Sequence, residues 1–131
     1  MNTLKGINVV DSCGWLEYFA NGANAGFFAP ALEATETLRV PTLCVFEVCK
    51  RIALQRGEAA AQQAAEFMAQ GKVISPGANT AFAAALYSAK HKLPMADSLI
   101  LITAQEHQAT LWTQDADLKG HNGVKYKSKP N

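Results

Sequence analysis

Ile7-Asn8-Val9-Val10-Asp11-Ser12 sets the terms of this fold: a short apolar run that ends on an acid and a hydroxyl. Four such residues are long enough for a buried strand and too short for a helix. The same pattern returns near the other end of the chain. There Ala109-Thr110-Leu111-Trp112-Thr113-Gln114 is followed by Asp115. Leu38-Arg39-Val40 and Lys72-Val73-Ile74-Ser75 read as two further strands, and Gly123-Val124-Lys125-Tyr126 as a candidate fifth.

Helical signals fill the intervals. One helix is expected from Ser12 to near Asn21-Gly22, a second from about Asn24 to Glu33, and a third from Pro41-Thr42 to about Gln55, stopped by Gly57. An alanine-rich helix spans Glu58 to Gln70, with Gly71 as its C-terminal signal. Asn79 to Lys92 forms the next, with Phe82, Ala85, Leu86 and Ala89 as its apolar face. Pro94 breaks the chain before a last helix over Ala96–His107, and a short turn covers Ala116–Lys119. Short strands alternating with helices of ten or more residues predict an α/β domain. Its centre is a parallel sheet of four to five strands with helices on both faces. No repeat, linker or low-complexity segment interrupts it, so one domain is the economical reading.

Composition narrows the class. The chain has 131 residues, is 49% hydrophobic and 18% charged, and carries a formal net charge of +1. These values describe a globular protein with a single core rather than a disordered chain, and the charge neither demands nor excludes nucleic acid. Lys119, Lys125, Lys127 and Lys129 make the C-terminal stretch locally basic, either a solvated end or a phosphate-contacting patch. Cys13, Cys44 and Cys49 are odd in number, lack zinc-like spacing and sit among apolar residues. They read as small core residues in a reducing compartment. With no signal-peptide pattern and no apolar run of about 18 residues, the expected location is the cytoplasm.

The acids carry the chemistry. The only aspartates are Asp11, Asp97, Asp115 and Asp117. Asp11 and Asp115 follow strands, at the end of an open α/β sheet where ligands bind. Asp97 opens the apolar segment Ser98-Leu99-Ile100-Leu101-Ile102, and Glu47 sits inside Leu43-Cys44-Val45-Phe46-Glu47-Val48-Cys49. A carboxylate among apolar residues is costly unless it is paired, hydrogen-bonded or bound to a cation. Each acid also has a plain reading. Asp11 and Ser12 fit a helix cap, Asp97 a charge at a helix N-terminus, and Asp115 and Asp117 turn chemistry. Together they would repel, and one would take up a proton unless a cation offsets the charge. An all-oxygen donor set points to Mg²⁺ or Mn²⁺. His91, His107 and His121 have no metal-like spacing and read as surface or helix-end residues. An acidic cation site suits phosphodiester hydrolysis, with a metal-activated water as nucleophile. No Gly-rich phosphate loop and no nucleophilic triad is readable.

The segments Val10-Asp11-Ser12-Cys13-Gly14-Trp15-Leu16-Glu17-Tyr18-Phe19, Val40-Pro41-Thr42-Leu43-Cys44-Val45-Phe46-Glu47-Val48, Leu93-Pro94-Met95-Ala96-Asp97-Ser98-Leu99-Ile100 and Leu111-Trp112-Thr113-Gln114-Asp115-Ala116-Asp117-Leu118 resemble, in order, the four acidic motifs of VapC-like PIN-domain toxins of type II toxin–antitoxin systems. The resemblance runs from about Ile7 to Tyr126. It implies a PIN-like fold, with residues 1–131 as a single nuclease domain, and a Mg²⁺- or Mn²⁺-dependent endoribonuclease that cleaves structured RNA such as tRNA or rRNA. By position it makes Asp11, Glu47, Asp97 and Asp115 the catalytic quartet, with Asp11, Asp97 and Asp115 as metal ligands. Asp117, Ser12 and Thr113 would support them. It also implies a cognate antitoxin and a homodimer. Cys13 departs from the small polar residue expected beside the site, and the polar run Lys119-Gly120-His121-Asn122 departs after the fourth motif.

Two other readings compete. A haloacid-dehalogenase-like phosphatase also uses a carboxylate after its first strand, but wants an acid two residues later, where this chain has Cys13. A non-catalytic RNA-binding scaffold on the PIN fold would keep the architecture and lose the chemistry.

Overall fold

The computed structural model describes residues 6–130. Five strands form one parallel sheet: β1 (Ile7–Val10), β2 (Leu38–Pro41), β3 (Lys72–Ile74), β4 (Ala109–Thr113) and β5 (Val124–Tyr126), in the order β3-β2-β1-β4-β5. The helices are α1 (Ser12–Phe19), α2 (Ala25–Glu33), α3 (Thr42–Arg56), α4 (Glu58–Met68), α5 (Ala78–His91) and α6 (Met95–Glu106), with a 3-10 turn at Ala116–Leu118. The fifth strand, a candidate in the sequence, is real: Leu111, Trp112 and Thr113 pair with Val124, Lys125 and Tyr126. Observed bounds fall within a residue or two of those expected, because glycine, proline and capping acids mark most of the ends.

The connections explain the layering. From β1 the chain steps outward to β2 and β3, then returns past β1 to β4 and β5. Right-handed crossovers in opposite directions put the first and second sets of helices on opposite faces of the sheet. The central strands are therefore covered on both sides, and adjacent Val9 and Val10 are both fully buried. The edges differ: Lys72 on β3 and Lys125 on β5 are exposed, and a lysine on an edge discourages pairing with other chains. Lys125 also lies 4.2 Å above the Trp112 ring.

Packing is closest where α1 crosses β1. A Cβ on Gly14 would stand 2.6 Å from Val10 Cγ1 and 2.7 Å from the Phe28 ring. Gly14→Ala is thus an overpacking change, expected to cost about 1–3 kcal/mol. Chemical denaturation would read this, and an unchanged midpoint would show that α1 can move off the sheet.

Helix α6 carries buried residues all round, with Ile100, Leu101, Ile102, Thr103 and Ala104 consecutive. It lies between β4 and α5, which explains why its apolar run lacks helical periodicity. Helix α5 corrects an expectation. It packs on α6 through Thr80 and Ala84, not through Phe82, Ala85, Leu86 and Ala89. Phe82 and Leu86 are 67% and 58% exposed, and Met95 at the start of α6 is 72% exposed. The more apolar stripe of α5 therefore faces outward, and its buried face carries the small Thr80 and Ala84. The cysteines also divide: Cys44 is core, whereas Cys13 and Cys49 are half-buried. Among the described residues no helix is long and apolar enough to cross a membrane.

Candidate metal centre

The strand order reverses between β1 and β4, so the crevice beyond their C-terminal ends is the switch point of the sheet. Asp11 leaves β1 there and Asp115 leaves β4 two residues beyond its end. Helix α6 starts at the same edge and presents Asp97 in its first turn. Oxygens of Asp11, Asp97 and Asp115 all lie within 4.8 Å of one another. Oxygens bound to one Mg²⁺ at about 2.0–2.1 Å stand up to about 4.2 Å apart. The spacing of the three is thus close to the spread that one such ion would impose.

Asp11 is the most enclosed, at 4% exposure. One oxygen accepts the Ser12 N–H at 2.8 Å, so it caps α1 as the plain reading required. The other accepts the Thr113 hydroxyl at 2.8 Å and lies 3.4 Å from the Cys13 thiol. The Thr113 hydroxyl itself accepts the Asp115 N–H at 2.9 Å. Its single proton is thereby committed to Asp11, and the fully buried Thr113 couples two of the three acids. Thr113→Val keeps the shape but leaves the Asp115 N–H unpaired. A loss of about 1–3 kcal/mol is expected, read by thermal denaturation. Full stability in that variant would mean that the hydroxyl carries no structural weight.

Glu47 stands apart from the cluster of three. Half-buried on α3, it accepts the Ser12 hydroxyl at 2.7 Å. Ser12 thus touches Asp11 through its backbone and Glu47 through its side chain. Asp117 is exposed, and its contribution is a backbone N–H donated to Asp115 at 2.9 Å.

The electrostatics follow from crowding. None of the hydrogen-bond partners of Asp11 is a cation. Burial pushes its pKa up, partly offset by the donors from Thr113, Cys13 and Ser12. Burial, with the charges of Asp115 and Asp11, pushes Asp97 up to about 7. Such raised carboxylates mark a site that favours bound positive charge. Burial and the neighbouring Asp11 charge push the Cys13 thiol up to about 12. It is a neutral thiol at physiological pH, and so a poor nucleophile. With three carboxylates, fixed hydroxyls and no nitrogen or sulfur ligand among the three, the donor set fits a hard divalent cation.

One polar assembly escaped the sequence reading. Asn24, expected to start α2, makes no side-chain cap and instead turns its buried amide to Gln114 Oε1 at 2.9 Å and to the Ser128 carbonyl at 3.0 Å. Lys127 N–H donates to the Thr113 carbonyl at 3.1 Å. The basic C-terminal segment is thus drawn across the strand ends beside the acids. The only hint in the sequence was that Asn24 and Gln114 each flank an apolar segment.

The PIN domain family matches residues 9–123. A search of curated proteins found no match. Solved structures with the same fold include a toxin–antitoxin complex from Klebsiella pneumoniae, at 23% identity and TM-score 0.75 over 90% of this chain and 95% of that one. A VapBC complex from Rickettsia felis bound to a DNA fragment from its promoter aligns at 14% identity and TM-score 0.72, over 93% and 98% of the two chains. A sarcin–ricin loop cleaving VapC toxin from Mycobacterium tuberculosis aligns at 18% identity and TM-score 0.72, over 88% and 95%. The family match runs from within β1 to the residue before β5 and takes in every acid of the cluster; the chain belongs to the PIN domain family.

Proposed function

We propose that this chain is a Mg²⁺- or Mn²⁺-dependent endoribonuclease and the toxin of a type II toxin–antitoxin pair. Its substrate is a structured RNA such as tRNA or rRNA. The observation that carries this reading is the convergence of Asp11, Asp97 and Asp115 at the switch point of the sheet, with the pKa of both Asp11 and Asp97 raised. Membership of the PIN family and the likeness to solved toxin–antitoxin structures support it.

Asp11, Asp97 and Asp115 would hold the cation. A divalent ion held there would make water a stronger nucleophile at neutral pH and offset the charge of a phosphodiester. Thr113 fixes Asp11 against Asp115, and Ser12 ties Glu47 to the rim, from where its carboxylate can accept a proton from an incoming water. Asp117 steadies the turn below Asp115. The phosphatase reading gains nothing, since two residues after Asp11 stands the protonated Cys13 thiol. The test is to incubate the protein with total cellular RNA in Mg²⁺, Mn²⁺ or EDTA and sequence the new ends. Discrete ends that need the metal are expected. Cleavage that survives EDTA, or none in any RNA, would end the proposal.

Partners in this reading are a cognate antitoxin and a second copy, in the cytoplasm. The outward row of Phe82, Leu86 and Met95 supports the second copy. Beside it lies a groove of about 460 Å³ walled by Ala81, Ala85, Ala89 and Leu99. A charge-free apolar patch of that kind marks an interaction surface. Leu86→Glu is expected to convert a dimer to a monomer by light scattering. A wild-type chain that is already monomeric would remove this part.

A further inference from the structure

A cleft of about 640 Å³ lies between α1 and the α3–α4 pair and ends at Cys13 and Gln114. Cys13 is 3.4 Å from Asp11, so a single thiol separates the inner end of the cleft from the acids. Its walls have two characters. Arg51, Arg56 and Lys129 bring positive charge, and all three are exposed. Phe19 and Phe67 bring half-buried aromatic surface, with ring centroids 5.5 Å apart at a steep 78°. Glu17 is the one acid in the wall, and its Oε2 is occupied by the Asn24 N–H at 2.8 Å.

One wall links the cleft to the acids. Glu47, Arg51 and Gln55 follow one another at four-residue spacing on α3, about 6 Å per step along one face. That face passes from the acidic rim to a cation and then to an amide. Lys129 reaches the opposite wall because Asn24 and Thr113 hold the segment around Ser128 against the strand ends. Cations flanking an aromatic floor form the arrangement by which proteins hold single-stranded nucleic acid, with phosphates on the charges and bases against the rings. A double helix would present its bases to no such floor.

Building on the ribonuclease reading, we infer that this cleft holds the single-stranded RNA that flanks the scissile phosphate, with Arg51, Arg56 and Lys129 on the backbone and a base against Phe19 and Phe67. It gives the active site a direction: the strand leaves the acids past Cys13 and runs along α3. It also gives the basic C-terminal segment a task. Loop RNA would enter the cleft, and paired RNA would have to open first.

The test is a triple variant, Arg51→Ala, Arg56→Ala and Lys129→Ala, changed only at exposed positions so that folding is preserved. Binding of a short fluorescein-labelled single-stranded RNA of mixed sequence is followed by anisotropy in EDTA, apart from any cleavage. The triple variant should bind roughly tenfold or more weakly, and the slope of log K against log salt should flatten by about 0.7 for each lost phosphate contact. On an RNA that the wild type cuts, KM should rise with kcat kept. Wild-type binding and salt slope in the triple variant, with wild-type KM, would overturn the inference and leave the nuclease reading intact. A wild-type protein that neither binds nor cuts RNA would instead bring down that reading. A purified protein partner that loses its grip on the triple variant while RNA binding is unchanged would make the cleft a protein site and overturn the inference too.

Discussion

Asp97→Asn is expected to abolish metal-dependent RNA cleavage and, in EDTA at pH 8, to raise the thermal midpoint. The two effects share one cause. Asp97 is held among Asp11 and Asp115, and burial with those charges pushes its carboxyl up to about 7. An amide in its place removes a cation ligand together with a repulsion. Loss of an outer partner of a metal ligand costs roughly 10–100-fold. Loss of a carboxylate from a set of three should exceed that and leave activity near background. The stability gain should be full above about pH 7 and shrink towards pH 4, where Asp97 is neutral in the folded and unfolded chains alike. Cleavage assays beside thermal scans read both. A variant that still cuts, or one that unfolds, would take Asp97 out of the proposed ligand set. Asp11→Asn should be equally inactive but without the gain: an asparagine oxygen can still cap α1, but its NH2 would replace the oxygen that accepts the Thr113 hydroxyl.

The second large effect is that of the cation and of pH on the wild type. A carboxyl whose folded pKa stands above its unfolded value stabilises the fold below the unfolded value, near 3.8 for Asp97, and that contribution disappears as pH rises through about 7. Asp11 shifts in the same direction. In EDTA the midpoint should therefore fall between about pH 4 and pH 7. Mg²⁺ or Mn²⁺ should reverse this, because an ion that binds only the folded chain stabilises it by about 2.7 kcal/mol at a hundredfold excess over Kd. The increment should grow with pH, since binding displaces protons. Equal midpoints with and without metal at pH 8 would show that the three acids hold no ion.

Much of this was legible before any coordinates. The sheet could be read because most strands are short runs bounded by a residue with a reason to end an element: Asp11, Pro41 and Asp115 after β1, in β2 and after β4, and Gly71 just before β3. Asp11, Asp97 and Asp115 could be read as a group because boundaries of strand and helix fall at one edge of a parallel sheet. Glu47, grouped with Asp11 by the resemblance, meets Ser12, the residue after Asp11. The exposed stripe of α5 was not legible. Periodicity gives the direction of an apolar face but not whether its partner lies inside the chain, and Ala84 was too small to announce the true contact. Nor was the Asn24, Gln114 and Ser128 assembly, whose hydrogen bonds cross 90 and 104 residues of sequence. Short-range rules describe the residues that flank a position, and these partners are set by the fold.

The order of the strands also bears on how the protein is made. β1 emerges from the ribosome before the other four strands, yet its neighbour β4 and the acid that follows it come only after β2 and β3. Synthesis adds about 5–20 residues per second. For most of that interval the nascent chain carries Asp11 with neither Thr113 to orient it nor Asp115 to complete the cluster. Assembly of the cation site thus waits until β4 and Asp115 have been made, and by then the chain that folds around it is already there.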